Sequence, residues 1–405
     1  MHDPALTREA LAELPADIAT SPLFNGDLAP VPARRRTWTT WNFAALWISM
    51  AHCLPTYMLA GGLIALGMNW WQALLTIALG NVIVLVPILL NAHPGTRYGI
   101  PFPVLARSSF GTVGANVPAI LRAVVACGWF GIQTYIGGEA VRTFLAAAWP
   151  AFNEIGAGAT VMGLGLPTTM FGFSAMAVVI TSAAEGLLKG TDPKTLWDPV
   201  VVLGHITSSV PPAGFEAPLL ADAGTRWAVA LLALLGVAVA TIATNIAANV
   251  VSPANDFANC APRLISFRTG GVITGVVGIL IMPWRLLANP EAYIFNWLVG
   301  YGALLGPIAG IMVVDYWLVR RTQLDVPDLY RPKGRYAGTN PVALVALVAG
   351  VAPNIIGFLR SVKLMQGGPD LWDALYPYSW FIGFAIAAVV YRQGMRRSRF
   401  GAAAA

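Results

Sequence analysis

The chain is 405 residues long, 57% hydrophobic and only 11% charged, with a formal net charge of +6. Soluble domains carry roughly 25% charged residues, so this composition excludes a soluble globular protein and points to a chain that crosses a membrane several times. The excess positive charge sits in short loops and tails, as the positive-inside rule expects, and is no argument for nucleic-acid binding.

Residues 1–36 are polar, contain Pro, Asp and Glu, and end in Arg34-Arg35-Arg36. With no secretory signal pattern among them, they are expected to form a disordered cytosolic tail. A transmembrane domain is expected over 37–391, and a second cytosolic tail over 392–405. Within the domain about nine stretches approach the roughly 20 apolar residues that a bilayer crossing needs. They lie near 42–66, 70–90, 117–149, 166–187, 227–251, 270–287, 293–319, 341–358 and 378–391. Residues 189–226 read as a long Pro-bearing loop, with a short amphipathic helix near 196–206.

The first span contains SMAHCLPTYMLAGG. Pro55 lacks a backbone N–H and obstructs the preceding turn, so the helix is expected to kink or break there. A break would free carbonyls near Ser49 and His52, and such carbonyls can coordinate a cation. A simple proline kink is the plainer alternative. After the second span, NAHPGTRYGIPFPVLARSSFG reads as an ordered, non-helical cytosolic loop, with His93 playing no proton-carrying part.

The third span holds CGWFGIQTYIGGEAVR. Trp129 and Gln133 are four residues apart and so share a helix face. An aromatic plate beside a group that both donates and accepts suits a flat heterocycle with adjacent carbonyl and N–H groups. The competing reading is a packed core Trp and a Gln bonded to a neighbouring helix. Glu139 and Arg142 are expected to pair with each other near the outer end.

Charge placement gives a topology with a conflict in it. Arg34–Arg36, then Arg97 and Arg107, put the N-terminus and the loop after the second span inside. Counting back from Arg392, Arg396, Arg397 and Arg399 puts the loops bearing Arg320–Arg335 and Arg263–Arg268 inside as well. The third span then ends outside near Trp149, whereas the fourth must start inside near Leu166. The linking segment is too short, at about 16 residues, and too Gly-rich for a regular crossing helix.

The stretch LLGVAVATIATNIAANVVSPANDFANCAPRLISFR begins as a span and then concentrates amides and hydroxyls. Thr241, Asn245 and Asn249 share one face at spacings of four, with Thr244 beside them. Polar groups at membrane depth are costly unless they face protein, water or a ligand. Interhelical hydrogen bonding is the alternative use of such residues. Asp256 is expected to cap a helix or pair with Arg263, and Asp315 to be structural. Cys53, Cys127 and Cys260 read as small core residues, and the four His residues are scattered without a metal-ligand spacing.

The segments TWNFAALWISMAHCLPTYMLAGGLIALGMNWWQALL, NAHPGTRYGIPFPVLARSSFG, ACGWFGIQTYIGGEA, TNIAANVVSPANDFANCAPRLISFRTGG and WLVGYGALLGPIAGIMVVDYWLVRR resemble the nucleobase:cation symporter-1 family. The resemblance runs from about Arg36 to Tyr391. It implies an all-α, polytopic membrane protein with five-plus-five inverted repeats, placed at the cell membrane with both termini cytosolic. Trp129 would stack on the substrate ring, Gln133 and Asn249 would hydrogen-bond it, and Cys53 occupies a first-helix position where relatives often carry an amide. The cation site would use carbonyls around Ser49 and His52, the Ala240 carbonyl and the Thr244 hydroxyl. Ala243 stands where some sodium-coupled relatives have a second hydroxyl, so the coupled cation is sodium or a proton. Family members run longer, with three further helices between ACGWFGIQ and GLPTTM, which implies an internal deletion near 150–166 and about nine spans instead of twelve. An odd number of absent helices also accounts for the charge conflict.

The expected function is cation-coupled symport of a nucleobase or related heterocycle (cytosine, uracil, purine, allantoin or hydantoin) by alternating access. Its partners would be the heterocycle, a monovalent cation and the lipid bilayer, with no organic cofactor. The alternative is a non-transporting, internally deleted member of the same family. An intramembrane enzyme is disfavoured, because no Ser/Lys, paired-Asp or metal-ligand pattern sits in a span.

Overall fold

The computed structural model describes residues 4–51, 53–148, 244–289, 292–367 and 369–398, with isolated positions between 151 and 228. The fourth expected span, the 189–226 loop with its amphipathic helix, and His52, Ala240, Thr241 and Ala243 lie outside the described residues. Among the described residues the chain is helical apart from one small hairpin. Its elements are α1 (Pro4–Ala12), α2 (Thr40–Ala51), α3 (Leu54–Ala65), α4 (Trp70–Tyr98), α5 (Phe102–Phe110) and α6 (Asn116–Ala148). After the hairpin β1 (Thr160–Val161)–β2 (Leu164–Gly165) come α7 (Val251–Cys260), α8 (Phe267–Leu280), α9 (Pro283–Leu286), α10 (Gly300–Val314), α11 (Pro341–Ser361), α12 (Leu371–Leu375) and α13 (Ser379–Met395). Three π-helical turns, Asn245–Val250, Ala292–Val299 and Asp315–Val319, run directly into α7, into α10 and out of α10.

Five described helices are long and apolar enough to cross a membrane: Trp70–Tyr98, Asn116–Glu139, Ala292–Val319, Pro341–Ser361 and Leu371–Met395. The first expected span is split into α2 and α3, with Cys53 extended between them (φ −135°, ψ 148°) and Pro55 in the first turn of α3. Proline is well tolerated at that position because the first turn has no partner for its missing N–H. The chain therefore breaks the helix rather than kinking it.

The run after the second span is helical, which corrects the expected loop. Asn69 and Gln72 form a capping box that starts α4. The helix then runs 29 residues, through Pro87 and Pro94, to Gly99. Gly99 closes it at φ 66°, a conformation that suits glycine. A Cβ there would also lie 2.7 Å from the Val31 carbonyl and the Arg36 Nε. Pro101 caps α5, whose residues from Pro103 to Phe110 are all buried.

Residues 4–36 are ordered, against the expectation of disorder. They form a strap across the end of the bundle where the Arg-bearing loops meet. Ile18 and Leu28 are fully buried in one core with Val104, Phe110, Ile311, Leu329, Tyr330, Tyr336 and Tyr391. Backbone groups of distant segments hold the strap. The Tyr330 hydroxyl donates to the Leu28 carbonyl at 2.7 Å, the Ser21 hydroxyl donates to the Tyr330 carbonyl, and the Asn25 amide donates to the Pro262 carbonyl at 2.8 Å. On the other side, Val31 N–H donates to the Gly99 carbonyl at 2.8 Å.

Candidate functional site

The helices that carry the residues singled out on the third span and on the TNIAAN segment pack against each other. α6 packs against the π-helical turn Asn245–Val250 and against α7 and α8. Gln133, Asn245 and Asn249 are all buried, with Gln133 only 2% exposed. The Asn249 amide donates to Asn245 Oδ1 at 2.8 Å, so the two amides of the polar stripe fix each other's orientation. Asn245 and Asn249 lie in a π-helical turn, where backbone bonds skip to i+5; such turns occur mostly as single insertions in α-helices, frequently at functional sites.

Gln133 presents an unsatisfied acceptor. Its Oε1 is buried and has no hydrogen-bond partner among the described residues. An orphaned buried acceptor costs about 1–3 kcal/mol, and native proteins keep few of them. One helical turn earlier, Trp129 stands among three aromatic rings from the helix that follows α9. Its ring centroid is 6.3 Å from that of Tyr293, 5.9 Å from Trp297 and 6.0 Å from Tyr301, all edge-on. Tyr293, Trp297 and Tyr301 recur every four residues and so share a face. That regularity was readable in the sequence but was masked by the apolar run around it. Met58 of α3 and Ile132 of α6 close the same cluster.

The broken first helix supplies the other wall. Tyr293 donates its hydroxyl to the Pro55 carbonyl at 3.1 Å, so a backbone group near the break is held by a side chain of the aromatic cluster. Cys53 Sγ lies 3.1 Å from Thr56 Oγ1, a bond within its own segment. The Thr244 hydroxyl donates to the Met50 carbonyl at 3.5 Å. This contact joins the end of α2 to the TNIAAN turn, bringing a carbonyl and a hydroxyl oxygen close enough to share one small cation. Of the other expected cation-site residues, Ser49 belongs to α2; His52, Ala240 and Ala243 lie outside the described residues.

One ion pair differs from expectation, and one buried arginine network was missed. Asp256 is completely buried and pairs with Arg122 of α6 at 2.8 Å, not with Arg263. Arg263 instead donates to the Thr20 carbonyl of the strap at 3.1 Å. Asp315 is structural, as expected: it accepts from Arg320 at 2.7 Å, from the Tyr391 hydroxyl at 2.7 Å and from the Ser108 and Ser109 hydroxyls. Arg107, also completely buried, donates twice to Asn259 Oδ1, at 3.0 and 2.7 Å, and once to the Leu329 carbonyl. Burial pushes its guanidinium down to about 10, which leaves it charged at neutral pH. His93 sits in α4 with its Nδ1 3.0 Å from the Tyr316 hydroxyl. No group of three or more His, Cys, Asp or Glu that could hold a metal occurs among the described residues.

Comparison with known proteins gives one consistent picture. A family model described as permease for cytosine/purines, uracil, thiamine, allantoin matches residues 30–189 and 160–383. The chain is 33% identical to the purine-uracil permease NCS1 of Arabidopsis thaliana, over 91% of this chain and 77% of that protein. It is 31% identical to the allantoin permease of Bacillus subtilis (strain 168), over 92% and 93% of the two chains. Among solved structures it is similar to Mhp1, a nucleobase-cation-symport-1 family transporter, in a closed conformation with bromovinylhydantoin bound. The TM-score is 0.61 at 24% identity, covering 93% of this chain and 96% of that one. The two permease alignments span 483 and 472 positions, more than the 405 residues of the chain itself. Both relatives therefore carry residues for which this chain has no counterpart.

Proposed function

Because the chain belongs to the family of permeases for cytosine/purines, uracil, thiamine and allantoin, we propose that it is a cation-coupled secondary transporter for a small heterocycle, working by alternating access. The observation that carries this reading is Gln133, whose buried carbonyl oxygen has no partner among the described residues and sits one turn from the Trp129 plate. A ring N–H would satisfy that oxygen while the ring face lies on Trp129. Asn249, fixed by Asn245, would contact the ring from the opposite helix, with Cys53 at the margin beside the helix break. The coupled cation would sit between the end of α2 and the TNIAAN turn. Its ligands would be carbonyls near Ser49 and His52, the Ala240 carbonyl and the Thr244 hydroxyl, and the approach of the Thr244 hydroxyl to the Met50 carbonyl, at 3.5 Å, supports that placement. Ala243 offers no second hydroxyl there. The protein would lie in the cell membrane with the strap end cytosolic.

A second reading is favoured by the alignment lengths. The columns without a counterpart number roughly a hundred, enough for about three spans and their loops. In that reading the chain is a deleted family member that binds substrate without carrying it across. The test is uptake of labelled uracil, cytosine, allantoin and hydantoin into proteoliposomes under a sodium gradient and, separately, a proton gradient. Cation-dependent accumulation, abolished by Gln133→Ala and by Asn249→Ala at unchanged membrane levels, supports transport. Binding without accumulation selects the second reading, and neither binding nor uptake overturns both.

A further inference from the structure

We propose that Trp297 is a further substrate contact, its indole N–H donating to a ring carbonyl of the bound heterocycle. The proposal rests on the reading of the site above and narrows it to rings in which a C=O stands near an N–H: cyclic amides, imides and ureides.

Two buried polar atoms at this site lack partners among the described residues, and they are complementary. One is the acceptor Gln133 Oε1 and the other is the donor Trp297 Nε1. Both belong to residues adjoining Trp129: Gln133 is one helical turn along α6, and Trp297 is edge-on to the Trp129 ring at 5.9 Å. A buried indole N–H ordinarily finds a partner. Filling space alone would need no N–H, and a Phe would do it without stranding a donor. The position of the indole is also closely fixed. A methyl group on Gly128 would collide with Trp297 Cη2, so α6 leaves room for this ring next to Trp129. The Tyr301 ring packs against it as well, at 5.4 Å. The neighbouring Tyr293 hydroxyl is bonded to the Pro55 carbonyl, whereas the Trp297 N–H has no partner among the described residues. A ligand lying on Trp129 with its N–H toward Gln133 and its C=O toward Trp297 satisfies both orphaned atoms at once.

The experiment uses the full chain in lipid nanodiscs and equilibrium binding of tritiated uracil, with labelled allantoin and hydantoin run in parallel. 2-Thiouracil and 4-thiouracil serve as competitors, because sulfur is a much weaker hydrogen-bond acceptor than oxygen. In the unaltered protein one of the two thiouracils is expected to bind about ten-fold more weakly than uracil, the size of one hydrogen bond. In Trp297→Phe, uracil itself weakens about ten-fold and the gap to that thiouracil closes to within two-fold. A loss of packing alone would weaken all three ligands equally and leave the gap open. Trp297→His, which keeps a ring N–H, is expected to restore part of the gap. Gly128→Ala, which displaces the indole without touching Trp129 or Gln133, is expected to close it. Unchanged uracil affinity in Trp297→Phe, or a gap that persists, overturns the assignment of Trp297 and leaves the heterocycle site standing. Absence of any heterocycle binding by the unaltered protein overturns the site reading itself.

Discussion

At the scale of single residues, the site holds polarity that burial alone would remove. Gln133→Leu replaces an orphaned amide with an apolar group of similar size. It is expected to raise the stability of the unliganded protein by about 1 kcal/mol while eliminating heterocycle binding. Thermal unfolding in detergent and equilibrium binding measure the two effects; a lowered melting temperature, or retained binding, would show that the amide is structural. The Arg122–Asp256 pair behaves in the opposite way, because each partner satisfies the other. Asp256 is fully buried, whereas Arg122 keeps about a quarter of its side chain exposed and also stacks over Phe102 at 3.9 Å. Arg122→Met therefore strands a carboxylate with no route to water, and is expected to cost about 3–5 kcal/mol. Asp256→Asn leaves a guanidinium that reaches solvent, and should cost clearly less. Equal losses in thermal stability for the two variants would contradict this asymmetry. The sequence exposed Trp129, Gln133 and Asn249 because their polarity interrupts apolar helices at helical spacing. It did not expose Arg122 as the partner of Asp256, since the two lie on different helices 134 positions apart. Nor did it single out Trp297, one aromatic among many in an apolar run.

At the scale of elements, the strap is the feature that the sequence concealed. Its apolar anchors, Ile18 and Leu28, stand singly in a polar, Pro-rich stretch and show no period. Their partners lie hundreds of positions away, as in the Tyr330–Leu28 bond, so no local pattern signals them. The helices were legible for the opposite reason: long apolar runs set their positions, although the caps at Asn69 and Gly99 and the prolines inside α4 moved the boundaries. Two kinds of contact hold the strap, and they predict different sensitivities. The ion pairs Asp17–Arg331 (2.8 Å) and Glu9–Arg35 (2.7 Å) are largely exposed and contribute little. Hydrogen bonding to Arg331 lowers the Asp17 carboxyl below its ordinary 3.8, and hydrogen bonding to Arg35 lowers Glu9 below 4.5. A depressed carboxylate contributes stability above its unfolded-state value, and loses that contribution as pH falls through the folded-state value. Protease cleavage within residues 4–36 should therefore be flat from pH 5 to 8, rising only below about pH 4. Leu28→Ala removes a fully buried side chain and should release the strap at neutral pH, at a cost of about 2–4 kcal/mol. If moderate salt at pH 7 released the strap as readily as Leu28→Ala does, the exposed pairs rather than the apolar anchors would be holding it.

At the scale of the whole molecule, the described geometry restates the charge conflict in a sharper form. The strap touches the loops after α4, after α7 and after α10, so Arg97, Arg263 and Arg331 gather at one end of the bundle. Asn116, at the start of α6, accepts from Asn259 near the end of α7 at that same end. α6 has 33 residues, which at about 1.5 Å per residue exceeds a hydrocarbon core of about 30 Å. Its C-terminal end must then lie on the opposite face. The helix containing the TNIAAN turn arrives at the strap end, so a full span over 227–251 would have to begin on that opposite face too. The chain between them must cross an even number of times, yet its sequence offers one apolar stretch of spanning length, 166–187. An added set of three spans would make that number four, which is even and consistent with both halves. For the chain as it stands, parity requires that 166–187 not make a single complete crossing. Lys333→Cys, in the strap-end loop, is expected to react with a membrane-impermeant maleimide only after permeabilisation, and Gln366→Cys in intact cells. Thr191→Cys is expected to label like Gln366→Cys. If Thr191→Cys labelled like Lys333→Cys instead, 166–187 would cross once, and the segment 227–243 could not then complete a second crossing on its way to Thr244. The contact between the Thr244 hydroxyl and the Met50 carbonyl would have to form on a helix entering from the strap side. The proposed cation site and the proposed deletion are thus tied to one measurement of sidedness.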